Sequence, residues 1–372
     1  MTDLFVPLHS LKQASWFKLI CGASYQHLPA VRSLTLAYTL AGADCIDVAA
    51  DPAVIAAAQA ALQVAPTLAK EAQQRGFSYK GNLPFLMISL NDGEDPHFRK
   101  AEFDPTLCPV NCPRPCEKVC PAQAIVFHRR QDNFSGVESQ KCYGCGRCIP
   151  LCPYDRIYTS SYMSTPQAIA PMVMSAGVDA VEIHTKVGRL AEFHRLWQVI
   201  APWAEQLKVL AISCPDGEGL IDYLRAIYEL INPRPHTLIW QTDGRPMSGD
   251  IGDGTTLAAV KLGQKVLSAK LPGYVQLAGG TNSYTVAKLK AMGLLRSAEL
   301  KVLSAESYSH HSIAGIAYGS YARVLLSPIL EQLENKEVSN TNVKATVRLE
   351  EQPDLLWEAV ELAHSLVSQL KS

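Results

Sequence analysis

Cys142-Tyr-Gly-Cys-Gly-Arg-Cys-Ile-Pro-Leu-Cys-Pro153 is the stretch around which the rest of the chain must be arranged. Its spacing is C-x2-C-x2-C-x3-C-P, the run that holds a bacterial-type [4Fe–4S] cluster. A second set lies upstream: Cys108, Cys112, Cys116 and Cys120, the last followed by Pro121. It closes with the same C-x3-C-P step, but its two earlier gaps are each one residue longer. Eight of the chain's eleven cysteines fall in these two sets.

Three cysteines on a tight loop can reach three iron corners of a cubane. The fourth, set apart by three residues and followed by proline, points away and serves the other cluster in two-cluster ferredoxins. That rule assigns Cys120, Cys142, Cys145 and Cys148 to one cluster, and Cys108, Cys112, Cys116 and Cys152 to the other. One cluster with a degenerate first set is the alternative. A four-cysteine zinc site shows two C-x2-C pairs a dozen or more residues apart, which is not this pattern. No secretory signal is read at Met1-Thr-Asp-Leu-Phe-Val-Pro7, so disulfides are not expected.

On either side of the cysteines the chain alternates short apolar runs with helical patterns. Phe17–Ala23, Cys45–Ala49 and Phe85–Leu90 read as strands upstream. Downstream strands are read at Ala180–His184, Leu207–Ile212, Thr237–Trp240, Tyr274–Ala278 and Gly315–Tyr318. Asp51-Pro52 reads as a helix cap, and Gly42 as the end of the helix before it. Residues 1–15 read as an irregular lead-in. Strands alternating with helices predict a parallel sheet with crossovers, and eight of them fit a (β/α)8 barrel. An open doubly wound sheet is the alternative. Gly42-Ala-Asp-Cys-Ile46 is echoed by Gly177-Val-Asp-Ala-Val181, each just ahead of a strand.

The expected organisation is an α/β TIM-like barrel carrying a ferredoxin-like insertion. Residues 1–90 supply the first three strands, 91–162 the two-cluster segment and 163–333 the remaining strands. Residues 334–372 form a polar linker and a C-terminal helix. The insertion follows a strand, so it should emerge at the C-terminal rim, where barrels build their active sites.

The 372 residues carry a net charge of −1, which predicts no bulk attraction to nucleic acid or anionic membrane. No run of eighteen apolar residues is present, so no membrane span is expected, and a cytoplasmic location is. Basic residues outnumber acidic ones between His97 and Ser160, which would favour the reduced state of a negatively charged cluster.

At the mouth, Gly279 and Gly280 follow the seventh strand, and Gly319 and Ser320 follow the eighth and open a helix. Glycines admit backbone N–H groups to a phosphate, and the helix N-terminus favours its charge. The pair resembles the flavin-phosphate site of dihydroorotate-dehydrogenase-like barrels, which would imply FMN; plain strand-to-helix turns are the alternative. Glu182, His184 and Lys186 share one side of their strand, and Ser213, Asp216, Gln241 and Asp243 lie at later strand ends. His184 with Glu182 could do acid–base work. Cys21 and Cys45 read as buried small apolar groups, Cys214 as the candidate reactive thiol, and His310-His311 as a solvated loop pair.

The eight cysteines after a third strand, with Ala278-Gly-Gly-Thr-Asn282 far downstream, resemble the cyanobacterial light-dependent period (LdpA) family. The resemblance implies iron–sulfur clusters that report redox state, set by light, to clock input and oscillator proteins. A quinone or ferredoxin pool is the expected electron source. The second reading is a flavin-dependent oxidoreductase whose clusters relay electrons.

Overall fold

The computed structural model describes residues 6–22, 27–77, 79–93, 99–120, 123–139, 141–142, 148–149, 151–161, 170–171, 173–244, 252, 254–295, 312–339 and 347–371. Eight parallel strands close into a barrel. In chain order they are β1 (Trp16–Gly22), β2 (Cys45–Ala49), β3 (Phe85–Asn91), β8 (Ala180–His184), β9 (Val209–Pro215), β10 (Leu238–Asp243), β11 (Tyr274–Ala278) and β12 (Gly315–Tyr318). β1 pairs with both β2 and β12, which closes the ring and excludes the open sheet. Between β3 and β8 lie four short strands of the insertion: β4 (Arg99–Glu102), β5 (Ile125–Val126), β6 (Gly136–Val137) and β7 (Tyr158–Ser161).

The outer helices are α2 (Leu28–Ala41), α3 (Pro52–Val64), α4 (Ala69–Gln74), α6 (Leu190–Ile200), α7 (Leu220–Leu230), α8 (Thr256–Ser268), α9 (Thr285–Ala291), α10 (Ser320–Ser339) and α11 (Pro353–Lys371). Local signals set their ends as the sequence predicts. Asp51 accepts the Ala53 N–H at 2.8 Å with Pro52 in the first turn, and Gly42 ends α2 in the left-handed region at φ 97°. The apolar stripe Phe193, Leu196, Trp197 and Ile200 of α6 is buried. α6 gives way to a 3-10 turn over Ala201–Gln206, because Pro202 removes the amide the helix would need. α10 runs on to Ser339, beyond Leu333, through helix-forming glutamates and Lys336.

The lead-in is not irregular throughout. Val6–Lys12 forms a short helix, α1, whose Leu8 and Leu11 pack with Trp16, Cys45, Phe85 and Met87 in the lower barrel interior. Burial of these apolar groups, more than propensity, holds so short a helix. The echoed Asp residues have a shared task at this end. Asp44 accepts the Phe17 N–H at 2.7 Å, and Asp179 accepts the Leu86 N–H at 2.9 Å. Each also pairs with a lysine, Asp44 with Lys371 and Asp179 with Lys208.

One helical run, Pro52–Gln74, is long and apolar enough by composition to cross a membrane. In the fold it belongs to the barrel shell, with Val54, Ile55, Ala58, Ala61 and Leu62 in the main core.

Candidate functional site

The cysteine segment makes its own small lobe. β4 and β7 pair antiparallel, so the chain enters and leaves side by side. Phe103, Ala124, Ile125 and Ile157 form a separate core with Cys116, Cys142 and Cys148, and α5 (Pro115–Val119) supplies Cys116 and packs Val119 against it. The two C-x3-C-P closures repeat one geometry. Cys120 Sγ accepts the Ala124 N–H at 3.2 Å, and Cys152 Sγ accepts the Arg156 N–H at 3.3 Å. Cys142 Sγ accepts the Ala101 N–H at 3.4 Å, from β4. N–H···S bonds of this kind orient a thiolate and tune a cluster it would hold.

The thiols also group electrostatically. Burial raises the Cys108 pKa, and the neighbouring thiols of Cys112 and Cys152 add to it. Burial pushes Cys116 up to about 11, with contributions from Cys152, Cys108 and Cys112. Cys108, Cys112, Cys116 and Cys152 therefore occupy one neighbourhood, with Arg114 and Arg156 close by. Among the described residues no three cysteine, histidine or carboxylate side chains converge to metal-ligand contact. Cys145 lies outside the described residues. As a donor set, the seven described cysteines of the lobe fit iron–sulfur clusters: soft, buried or partly buried sulfurs, three of them with a backbone N–H directed at them.

Two contacts fasten the lobe to the C-terminal rim. At its root, Asp92 accepts the Thr185 hydroxyl at 2.5 Å and pairs with Arg189 at 3.0 Å. On its body, Lys100 donates to the Ser139 carbonyl at 2.5 Å and lies 3.4 Å from Asp51, at the end of β2. Lys100 thus joins the loop ahead of Cys142 to the barrel.

Inside the barrel the structure assembles a polar layer that sequence reading only half found. Lys18, Asp47, Glu182, Gln241 and Gln276 are all buried. Lys18 Nζ lies 2.9 Å from Asp47 Oδ2, contacts Glu182 and donates to Gln241 Oε1 at 3.1 Å. Gln241 Nε2 donates to Glu182 at 2.6 Å and to Ser213 at 3.1 Å, and Ser89 donates to Asp47 at 2.8 Å. His184 Nε2 lies 3.0 Å from Glu182 Oε1. Burial works against the charge on Lys18, but Asp47 and Glu182 outweigh it and raise its pKa. Burial raises Asp47 despite Lys18. Burial would also raise Glu182, but Lys18 and His184 hold it low. His184 is raised, because Glu182 outweighs its burial.

Glu182, His184, Ser213 and Gln241 thus come together as expected, joined by Lys18, Asp47 and Gln276. Two expectations fail. Lys186 lies beyond the end of β8 and is exposed. Asp216 turns outward, 2.6 Å from Lys265. Cys214 is not an activated thiol: burial pushes it up to about 12, which disfavours the thiolate. Cys21 and Cys45 are fully buried, as expected. His310-His311 lies outside the described residues. The missed residues carry one legible signal, a lysine inside the apolar run Trp16-Phe-Lys-Leu-Ile20.

Gly279 and Gly280 adopt φ 64° and 88°. A Cβ on Gly280 would come within 2.9 Å of the Thr255 carbonyl oxygen. Thr255 Oγ1 donates to the Gly280 carbonyl at 2.8 Å, and Thr281 Oγ1 to the Ala317 carbonyl at 2.7 Å. Packing alone therefore accounts for Gly280. Gly319 differs: a Cβ there would meet nothing nearer than 3.8 Å. Arg323, one turn into α10, donates to Ser320 Oγ at 3.2 Å and to the Ile20 carbonyl at 3.3 Å. Space above a helix N-terminus beside a guanidinium fits an anionic oxygen group.

The closed barrel with its cysteine lobe defines an iron–sulfur-binding (β/α)8 protein. The particular family follows from comparison: this protein belongs to the light dependent period A (LdpA) family. It matches the LdpA Fe-S cluster-binding domain over residues 108–163 and the light dependent period A C-terminal domain over residues 172–369. It is 48% identical to light dependent period A of Synechococcus elongatus over 98% of this chain and 94% of that protein. The lobe alone is similar to subunits of several reductases. The iron–sulfur subunit of the arsenate respiratory reductase of a Shewanella species is 34% identical over 18% of this chain and 27% of its own length. A tetrathionate reductase subunit of Salmonella typhimurium is 41% identical over 14% of this chain and 20% of its own length. A solved tryptophan synthase structure of Mycobacterium tuberculosis aligns over 100% of this chain and 98% of its own, at 11% identity and a TM-score of 0.42. The strand pairing itself establishes the barrel.

Proposed function

We propose that this iron–sulfur protein is a redox sensor carrying two [4Fe–4S] clusters, and that it relays cellular redox state, set by light, to circadian clock components. Cys108, Cys112, Cys116 and Cys152 hold one cluster; Cys120, Cys142, Cys145 and Cys148 hold the other. The observation that carries the crossed assignment is the shared neighbourhood of Cys152 with the first three cysteines of the upstream set. When bound, each cluster takes up or releases one electron. The chain's own part is to orient the sulfurs through the N–H groups of Ala101, Ala124 and Arg156, and to tie the lobe to the barrel through Lys100 and Asp92. The clock role rests on the similarity to light dependent period A. The proposed partners are clock input and oscillator proteins, with ferredoxin or quinone as electron donor.

Iron and sulfide analysis after anaerobic reconstitution tests the cluster number. About eight irons per chain are expected, from two four-iron cubanes; four or fewer reject it. Clock-component capture from oxidised and reduced extracts tests the relay, and identical capture in both states rejects it.

The open space at Gly319, beside Ser320 and Arg323, favours a second reading: the mouth holds the phosphate of FMN and the protein is a flavin-dependent oxidoreductase. Gly279 and Gly280 would complete that cradle with their N–H groups. A flavin absorbance band that survives gel filtration supports this reading, and its absence after incubation with FMN removes it.

A further inference from the structure

Barrels of this type fill the space inside their strands with layers of branched apolar side chains. Here the middle layer instead holds two carboxylates, a lysine and two amides, none more than 3% exposed. Such a layer adds little net stability, because desolvating the ions offsets their attraction. It is also incompletely satisfied: Gln276 Oε1, on a fully buried side chain, has no partner among the described residues. Buried charged groups with perturbed pKa values in a concave site mark function more often than chance.

The layer above it is lined by small side chains. Its inward-facing positions include the small residues Ala49, Ser89, Ser213 and Ala278. His184 stands among them with 32% of its side chain exposed, although β8 is paired on both sides. Solvent therefore reaches His184 from the mouth. Ile20 and Asp243, also inward-facing at strand ends, are likewise only half-buried. Glu182 holds the His184 ring through Nε2, while Nδ1 has no partner among the described residues.

We propose that the barrel mouth is a binding site for a small organic anion, a carboxylate or phosphate ester, with His184 as its principal contact and Arg323 at the same rim. A protonated His184 and Arg323, the cations at the mouth, select this class. Lys18 and His184 share Glu182 between them, and Arg323 lies at the same rim. The negative groups acting on His184 are Glu182, already engaged, and Asp47, one strand beyond Lys18; Asp243 ends β10. A protonated His184 is a charge-assisted donor, so binding belongs to the acidic side of its titration. The site needs neither a bound flavin nor the two-cluster assignment.

The test uses the full-length holoprotein with succinate and inorganic phosphate as probes. Calorimetric titration near pH 6 should show one site per chain, weaker by about ten-fold or more near pH 8.5, the worth of one charge-assisted contact. His184→Gln should lose about the same factor near pH 6 while its thermal unfolding stays close to wild type. Histidine ring NMR of the unsubstituted protein gives a second readout: succinate should raise the His184 pKa. Phosphate binding without succinate, or the reverse, fixes the ligand subclass. No binding of either probe near pH 6, an unmoved His184 resonance, or full binding by His184→Gln would each overturn the proposal.

Discussion

Replacing Lys18 with methionine should expose the electrostatics of the barrel interior. The two side chains have similar length, so little cavity is created. What is lost is the only cation among the described residues that contacts both Asp47 and Glu182. Breaking a buried pair by removing one partner costs about 3–5 kcal/mol, because the other charge stays buried. In a chain of this size that lowers the melting temperature by about 6–10 °C, at roughly 2 °C per kcal/mol. The pH dependence is the sharper signature. The raised pKa of Lys18 means that its contribution is complete below the ordinary lysine value and lost only as pH rises past it. Between pH 5 and 8 the lysine term is therefore constant. In the variant, Asp47, already raised by burial, rises further, and Glu182, left with His184 as its counter-charge, moves up as well. Groups shifted upward bind protons more tightly when folded, so the variant is penalised as pH rises and relieved as it falls. Circular dichroism melts at about pH 5 and pH 8 should show the larger deficit at the higher pH. A variant that melts with wild type at pH 8, or shows equal deficits at both values, would mean that Lys18 does not balance these carboxylates.

Cys108→Ser and Cys152→Ser should each remove the same four irons, and Cys120→Ser and Cys148→Ser the other four, as the crossed cysteine rule requires; paramagnetic resonance of single and double variants decides, and non-equivalence of Cys108 with Cys152 breaks the assignment. Lys100→Met should loosen the lobe by about 1–3 kcal/mol, since Asp51 and the Ser139 carbonyl both lose a donor. Faster amide exchange confined to residues 99–161 would be its mark; slowing or spread into the barrel strands counts against it. Gly244→Ala should cost about 1–3 kcal/mol by overpacking, because its Cβ would fall 2.4 Å from backbone atoms of Ala259; chemical denaturation measures it, and an unchanged midpoint contradicts the close approach.

Much of this architecture is written in local pattern. Strand runs at Cys45–Ala49, Ala180–His184, Tyr274–Ala278 and Gly315–Tyr318 carry their own boundaries, and caps such as Asp51-Pro52 act within two residues. The cysteine spacings carry the cluster chemistry in the same way, because a tight loop must present its sulfurs at fixed intervals. The helix at Val6–Lys12 was not legible: seven residues with little helix-specific signal fold only because the barrel floor buries Leu8 and Leu11. The outward turn of Asp216 was equally hidden, since its partner Lys265 lies on a later helix.

The alternation of strands and helices, the cysteine lobe and its point of insertion can all be read along the chain, because each depends on residues close together in it. Closure of the ring decided the rest. It set Lys18 against Glu182, 164 residues away, and brought Asp47, Gln241 and Gln276 to the same level. No single strand encodes that meeting; it follows from the register between neighbouring strands, which only the closed barrel fixes.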